Sequence, residues 1–207
     1  MRSARRVSWH VWKLLLLVLG QILGTIPSLV LANKRVSRQI AALVETPVPS
    51  TDPRFRLARD QIRGQFDVDL HRLARIEEKA RATVFGVALS VGLVAPGLAL
   101  LTGNAMRTDG LEVAFAALLC SSIFFLLASG FLAIQCYKSG GVFRPDLEDH
   151  PPLVTPEEEL ETLIRCLDLN ALTVLRRNNL LSASIDCLRN GLAAMLGLLL
   201  LVIMSSL

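Results

Sequence analysis

VAFAALLCSSIFFLLASGFLAIQCY, residues Val113 to Tyr137, carries no formal charge over 25 residues. At about 1.5 Å per helical residue, such a run is long enough to cross a hydrocarbon core of about 30 Å. Leu14–Asn33, Ala82–Met106 and Asn190–Leu207 read the same way. A water-soluble domain of 207 residues has little use for four such runs. The expected fold class is therefore all-α: an integral membrane helical protein with three to four transmembrane helices and long cytoplasmic helical extensions. Composition agrees. Mean hydropathy is +0.49 and 52% of residues are hydrophobic. The charged fraction of 19% falls below the roughly 25% usual in soluble domains. Aromatic residues make up only 5%, so the apolar content is mainly Leu, Ala and Val, as suits lipid-facing helices.

Three segments are expected along the chain. Residues 1–46 form a hydrophobic anchor followed by a basic amphipathic helix. The anchor contains Gly20-x-x-x-Gly24, a spacing that lets helix backbones approach closely in lipid. It ends in Val30-Leu31-Ala32, which resembles a signal cleavage site, but the run is longer than a usual signal core and holds Pro27. Residues 34–45 place Val36, Ile40, Leu43 and Val44 on one face with Lys34, Arg35 and Arg38 at its edge, a pattern suited to an anionic membrane surface. Residues 47–53, with Pro47, Pro49 and Pro53, form a stiff linker. Residues 54–207 form the helical membrane domain.

Within that domain Asp52-Pro53 marks a helix start. Gly64 weakens the first stretch, so one long helix is expected from about residue 69 to 102. The spans near 82–103 and 112–137 make a hairpin through a short turn. Gly86 with Ser90 and Ala117 with Ser121 are expected packing points. Thr155-Pro156-Glu157-Glu158 then reads as a capping box, with Thr at the N-cap, Pro at the first helical position and Glu three residues on. From there Leu160, Ile164, Leu167, Ala171, Val174, Asn178, Leu181, Ile185 and Leu188 recur at alternating steps of four and three. This predicts a coiled-coil seam with Asn178 as its polar position, on a capped helix over 156–188 that runs into a last span over 189–206.

Charge sets the expected orientation. Segments 33–82 and 138–189 carry eleven and six Lys or Arg, and the hairpin turn only Arg107. The positive-inside rule places both long segments in the cytoplasm, the turn outside an inner membrane, and the end of the chain outside. The first run has basic residues on both flanks, Arg2, Arg5, Arg6 and Lys13 before it and Lys34 and Arg35 after it, so it either crosses or lies as an anchor in the interface.

Chemistry is sparse. Cys120, Cys136, Cys166 and Cys187 form no C-x-x-C pair, and His10, His71 and His150 lie far from them, so no zinc site is expected. The acidic run Glu157, Glu158, Glu159 and Glu161 is explained by capping and the helix dipole, not by a cation. No nucleophile, base and orienting group assemble by spacing, which argues against an enzyme. The runs Ala82–Met106 and Val113–Tyr137 hold no charge of the kind a coupled transporter uses, and the basic region lacks the interleaved aromatics of a nucleic-acid surface. No cofactor is expected. Two groups remain. Glu77 and Lys79 at the membrane face, with Arg176 and Arg177 on the last helix, are candidates for a sensing or gating collar. The plainer alternative pairs those arginines with acids on the 54–81 helix.

Arg75-Ile-Glu-Glu-Lys79-Ala80 ahead of a transmembrane hairpin, and Leu172 to Ser184 ahead of a last span, together resemble small membrane effectors of bacterial anti-phage nucleotide-signalling systems. The resemblance covers residues 70–205 and is mainly architectural. It implies oligomerisation and membrane disruption on a cytoplasmic signal. The expected function is a non-enzymatic membrane protein acting by helix association, either such a permeabilising effector or a scaffold that docks a partner on the 160–188 seam. The expected partners are the lipid bilayer, further copies of the chain, and a protein on the cytoplasmic helices.

Overall fold

A computed structural model describes residues 31–57, 59–103, 111–138, 141–143 and 155–206. All the regular structure among them is helical. Helix α1 covers residues 31–45. A single 3-10 turn, Pro53–Arg56, leads into α2, Arg59–Gly103. Helix α3 is Leu111–Lys138 and α4 is Pro156–Ser206. Gly20, Gly24 and the rest of the first hydrophobic run lie outside the described residues. Among the described residues two helices are long and apolar enough to cross a membrane, α3 and α4.

Local chemistry accounts for the helix starts. The backbone N–H of Glu158 donates to Thr155 Oγ1 at 3.3 Å, and the N–H of Thr155 donates back to Glu158 Oε2 at 2.9 Å. Both halves of the expected capping box therefore form. Asp52 caps the 3-10 turn by accepting from the N–H of Arg54 at 2.9 Å. The expected weak point at Gly64 is absent, because α2 runs through it without a break. Ile62, two residues earlier, is fully buried with Leu163, Ile164 and Leu167 of α4, and Phe66 packs on the same cluster. That burial outweighs the roughly 1 kcal/mol that glycine costs a helix interior. Val48 of the proline-rich segment and Phe55 of the 3-10 turn close the cluster from outside.

Three helices make the bundle. α3 runs antiparallel to α4, since Ser122 meets Gly191 while Ser129 meets Ser184. α2 runs parallel to α4, since Glu77 meets Arg177 while Gly86 faces Leu188. Each helix buries one stripe with steps of three and four. On α2 the stripe is Leu73, Ile76, Ala80, Thr83, Val87 and Ser90. On α3 it is Ser122, Leu126, Ser129, Ala133 and Cys136. On α4 it runs from Leu163 through Cys166, Asn170, Thr173, Arg177, Leu180, Ser184, Cys187, Gly191 and Ala194 to Leu198. A strict 3.5-residue repeat of this kind keeps one face of each helix toward its neighbours along the bundle.

The repeat on α4 has the expected period but sits one residue earlier than the stripe read from the sequence. Each expected position from Ile164 to Leu188 has its predecessor buried. Asn178 is exposed, and Arg177 takes its place inside. The sequence reading followed the most apolar stripe, whereas the chain buries the smaller and more polar one. Small side chains bring backbones close enough for polar groups to find partners across the interface. Of the expected stripe, Ile164, Leu167 and Leu181 are buried as well, whereas Ala171, Asn178 and Ile185 are exposed.

Candidate functional site: a buried ion pair above a serine and glycine seam

The collar residues separate into two kinds. Arg177 is 2% exposed, and its Nη1 lies 2.5 Å from Glu77 Oε1 on α2. Glu77 itself is half-buried at the edge of the bundle. Ile76, Ala80, Cys136, Leu180 and Leu181 form the apolar cluster beside the pair. Cys136 of α3 donates its thiol hydrogen to the carbonyl of Arg177 at 3.3 Å, so all three helices meet here. The plainer expectation, an arginine of α4 paired with an acid of the 54–81 helix, is the arrangement observed. Lys79 is exposed, and Arg176 is half-buried beside Arg177. The structure therefore brings Glu77 and Arg177 together and leaves Lys79 outside. Arg81 completes the rim, stacking its guanidinium 5.1 Å from the centre of the Tyr137 ring.

Along the helices from the pair, toward the charge-free stretches, the interface changes character. Ser129 and Ser184 donate their hydroxyls to each other's carbonyl oxygens, both at 2.7 Å, and both side chains are fully buried. Ser122 donates to the carbonyl of Gly191 at 3.0 Å. A Cβ on Gly191 would stand 3.0 Å from Leu126 Cγ and Cδ2 and 3.3 Å from the Leu126 backbone nitrogen. Any side chain here would press on α3, and Leu126 would have to give way by a few tenths of an ångström. Of the packing residues expected from sequence, Ser90 is buried but spends its hydroxyl on the Gly86 carbonyl of its own helix at 2.8 Å. Gly86 faces Leu188 at ordinary contact distance. Ala117 and Ser121 are half-buried, and the next residue, Ser122, carries the contact.

Away from the pair in the other direction, two polar clamps hold the bundle together. Neither was foreseen. Arg54 reaches Asp168 of α4 with Nη1 at 2.6 Å and Nη2 at 2.9 Å, while its Nε and Nη2 bind Asp52. Hydrogen bonds from the Arg54 side chain, then from its backbone N–H, hold the Asp52 carboxyl down at about 2. The two carboxylates raise the Arg54 guanidinium further above its already high range. Asn170, fully buried, donates to the Phe143 carbonyl and accepts from the Phe143 N–H, both at 3.0 Å. Its amide thus acts as a substitute strand for the chain leaving α3. Nothing in the sequence reading singled out Asn170, which stands one residue before the expected seam position Ala171. Arg54's partner on α4 was invisible because Asp168 lies 114 residues away.

An open groove of about 550 Å³ lies between α2 and α4 next to the Arg54 clamp. Gln61, Gln65, Asp69 and Arg72 line one wall and Leu167 and Asp168 the other. Among the described residues no three His, Cys, Asp or Glu side chains converge as metal ligands. No disulfide joins the four cysteines; Cys120 is exposed and the other three are buried. Compared with protein-family models, curated proteins and solved structures, the chain matches none.

Proposed function

We propose that this chain is a non-enzymatic membrane protein whose two long helices, α2 and α4, carry a cytoplasmic signal into the bilayer, where copies associate and permeabilise it. The observation that carries this reading is the Glu77–Arg177 pair. It stands where a water-facing half-bundle, clamped by Arg54 and Asn170, passes without a break into a half-bundle sealed by Ser129, Ser184 and Gly191. A change in packing at the groove beside Arg54 has a continuous helical path to the membrane segments. The pair then acts as the point where α2 and α4 are held in register, consistent with the best-attested role of buried polar contacts. In this reading α2, α3 and α4 all cross an inner membrane, with the first hydrophobic run as an additional anchor and the basic segments in the cytoplasm.

The test is expression of the full chain in cells loaded with a membrane-potential dye. Depolarisation that is lost in Glu77→Ala is the expected result. Unchanged potential, with the chain present in the membrane fraction, overturns the effector reading. A scaffold role has one observation in its favour. Leu175 and Ile185 are 47% and 46% exposed on α4, on the same side as Asn178. Purification in mild detergent separates the two: a homo-oligomer supports the effector, and a stoichiometric foreign partner supports the scaffold.

A further inference from the structure

The ion pair Asp186–Arg189 is out of place for a helix surrounded by lipid. Its side chains are 54% and 70% exposed. Their depth follows from contacts across the bundle. Ser129 meets Ser184 and Ser122 meets Gly191, so Asp186 and Arg189 are level with the α3 segment between Ser122 and Ser129. That segment shows Phe124 and Leu127 to the outside, at 47% and 62% exposure. Ser129 stands nine residues, or about 13 Å, inside the charged end of α3 at Lys138. On α2, Gly86 faces Leu188, and Gly86 is already five residues, or about 7 Å, past Arg81. Both neighbouring helices are free of charge at this level, while α4 alone exposes an acid and a base.

The same edge carries further polar side chains. Asn178, Ser182, Asp186 and Arg189 follow at steps of four, four and three, and all four are exposed, with the exposed Ile185 as the apolar member among them. Charges at membrane depth are costly in lipid and face protein or a water-filled cavity. At this level the outer surfaces of α2 and α3, with Phe85, Leu89, Phe124, Leu127 and Phe131, are apolar and suited to lipid.

We propose that the Asn178–Arg189 edge of α4 lines an aqueous passage enclosed by several copies of this chain, with Asp186 and Arg189 repeated as its charged rings. The proposal rests on the membrane reading above and deepens it, by naming the surface that meets water and the groups that set ion preference. Rings of one charge sign govern which ions pass. In each copy Arg189 is the more exposed and Asp186 stands about one turn before it.

The full chain reconstituted in liposomes provides the test, with a membrane-impermeant cationic thiol reagent and with ion flux as a second reading. The wild-type chain, with its exposed Cys120 on α3, sets the labelling background. Arg189→Cys and Ser182→Cys are compared with Leu127→Cys on the lipid-facing side. Because thiolate formation is suppressed in apolar surroundings, the first two are expected to label about tenfold faster or more than Leu127→Cys. Labelling at position 189 should also reduce flux. Arg189→Glu should shift the reversal potential toward cation preference. Equal labelling at positions 189 and 127, in liposomes where the wild type passes ions, overturns the lumen assignment and leaves the pore standing. Absence of wild-type flux defeats the proposed function, and the labelling ratio still decides whether this edge meets water. Asp186→Cys serves as the second variant should Arg189→Cys fail to assemble.

Discussion

The two halves of α4 use the same 3.5-residue repeat with opposite materials. From Leu163 to Leu180 the buried stripe mixes Leu with Cys166 and Thr173, and its long polar members, Asn170 and Arg177, are matched by Phe143 and Glu77. From Ser184 to Ala194 it holds Ser, Cys, Gly and Ala, and the contacts run from hydroxyl to backbone. In water, a half-bundle coheres by withdrawing apolar surface, so volume matters. Among lipid tails that drive vanishes between helices, and close approach with satisfied polar groups takes over. On the proposed membrane reading, the change of material along one uninterrupted helix corresponds to a change of solvent.

Substitutions along this contrast should differ in size and in sign. The largest effect is expected from Glu77→Ala, which strips the carboxylate from a guanidinium that is 2% exposed. Breaking such a pair from this side costs about 3–5 kcal/mol. Arg177→Met should cost far less, because it fills the same space with apolar atoms and Glu77, half-buried at the rim, can turn to water. Thermal unfolding of both variants in detergent checks the asymmetry, and equal losses would deny the buried pair its role.

Next come two glycines in the same chain. Gly191→Ala should destabilise by about 1–3 kcal/mol through overpacking against Leu126. Gly64→Ala, with nothing within 4 Å of the added carbon, should stabilise by about 0.5–1 kcal/mol. If both shift the melting temperature in the same direction, α3 does not approach α4 as described. Ser129→Ala, which removes one of two reciprocal bonds, should cost only about 0.6 kcal/mol, the average for such contacts between membrane helices.

The smallest effect concerns pH. Asp52 ionises at about 2 when folded, below its ordinary 3.8, so its contribution is present above about pH 4 and is lost as the pH falls toward 2. Proteolysis near residues 47–57 should rise over that interval, and Arg54→Gln should move the onset upward toward pH 4.

Much of the architecture was legible. Thr155 and Glu158 announce the start of α4 because a capping box is local chemistry, settled within one turn. The period of the seam was legible too, since apolar residues recur along the chain whatever the partner. Its phase was not. Choosing between the stripe through Asn178 and the stripe through Arg177 needs to know that Glu77 and the Asn170 partner Phe143 wait across the interface. A rule that maximises apolar burial picks the wrong neighbour by one residue where polar groups are matched. Gly64 failed as a breaker for the same reason, since Ile62 and Phe66 are held by α4. Of the candidate collar, Arg177 and Glu77 were found by charge and position, but only their contact separated them from Lys79.

The chain's own order of residues determined that it is helical, where its capped helix begins, and which stretches suit lipid, because helix propensity, capping and hydropathy are properties of neighbouring residues. Tertiary structure alone decided which face of α4 turns inward, that Arg54 ties a distant Asp168, and that Asp186 and Arg189 stand level with Phe124. Those facts depend on the register between helices, and register is set by contacts between residues far apart in sequence.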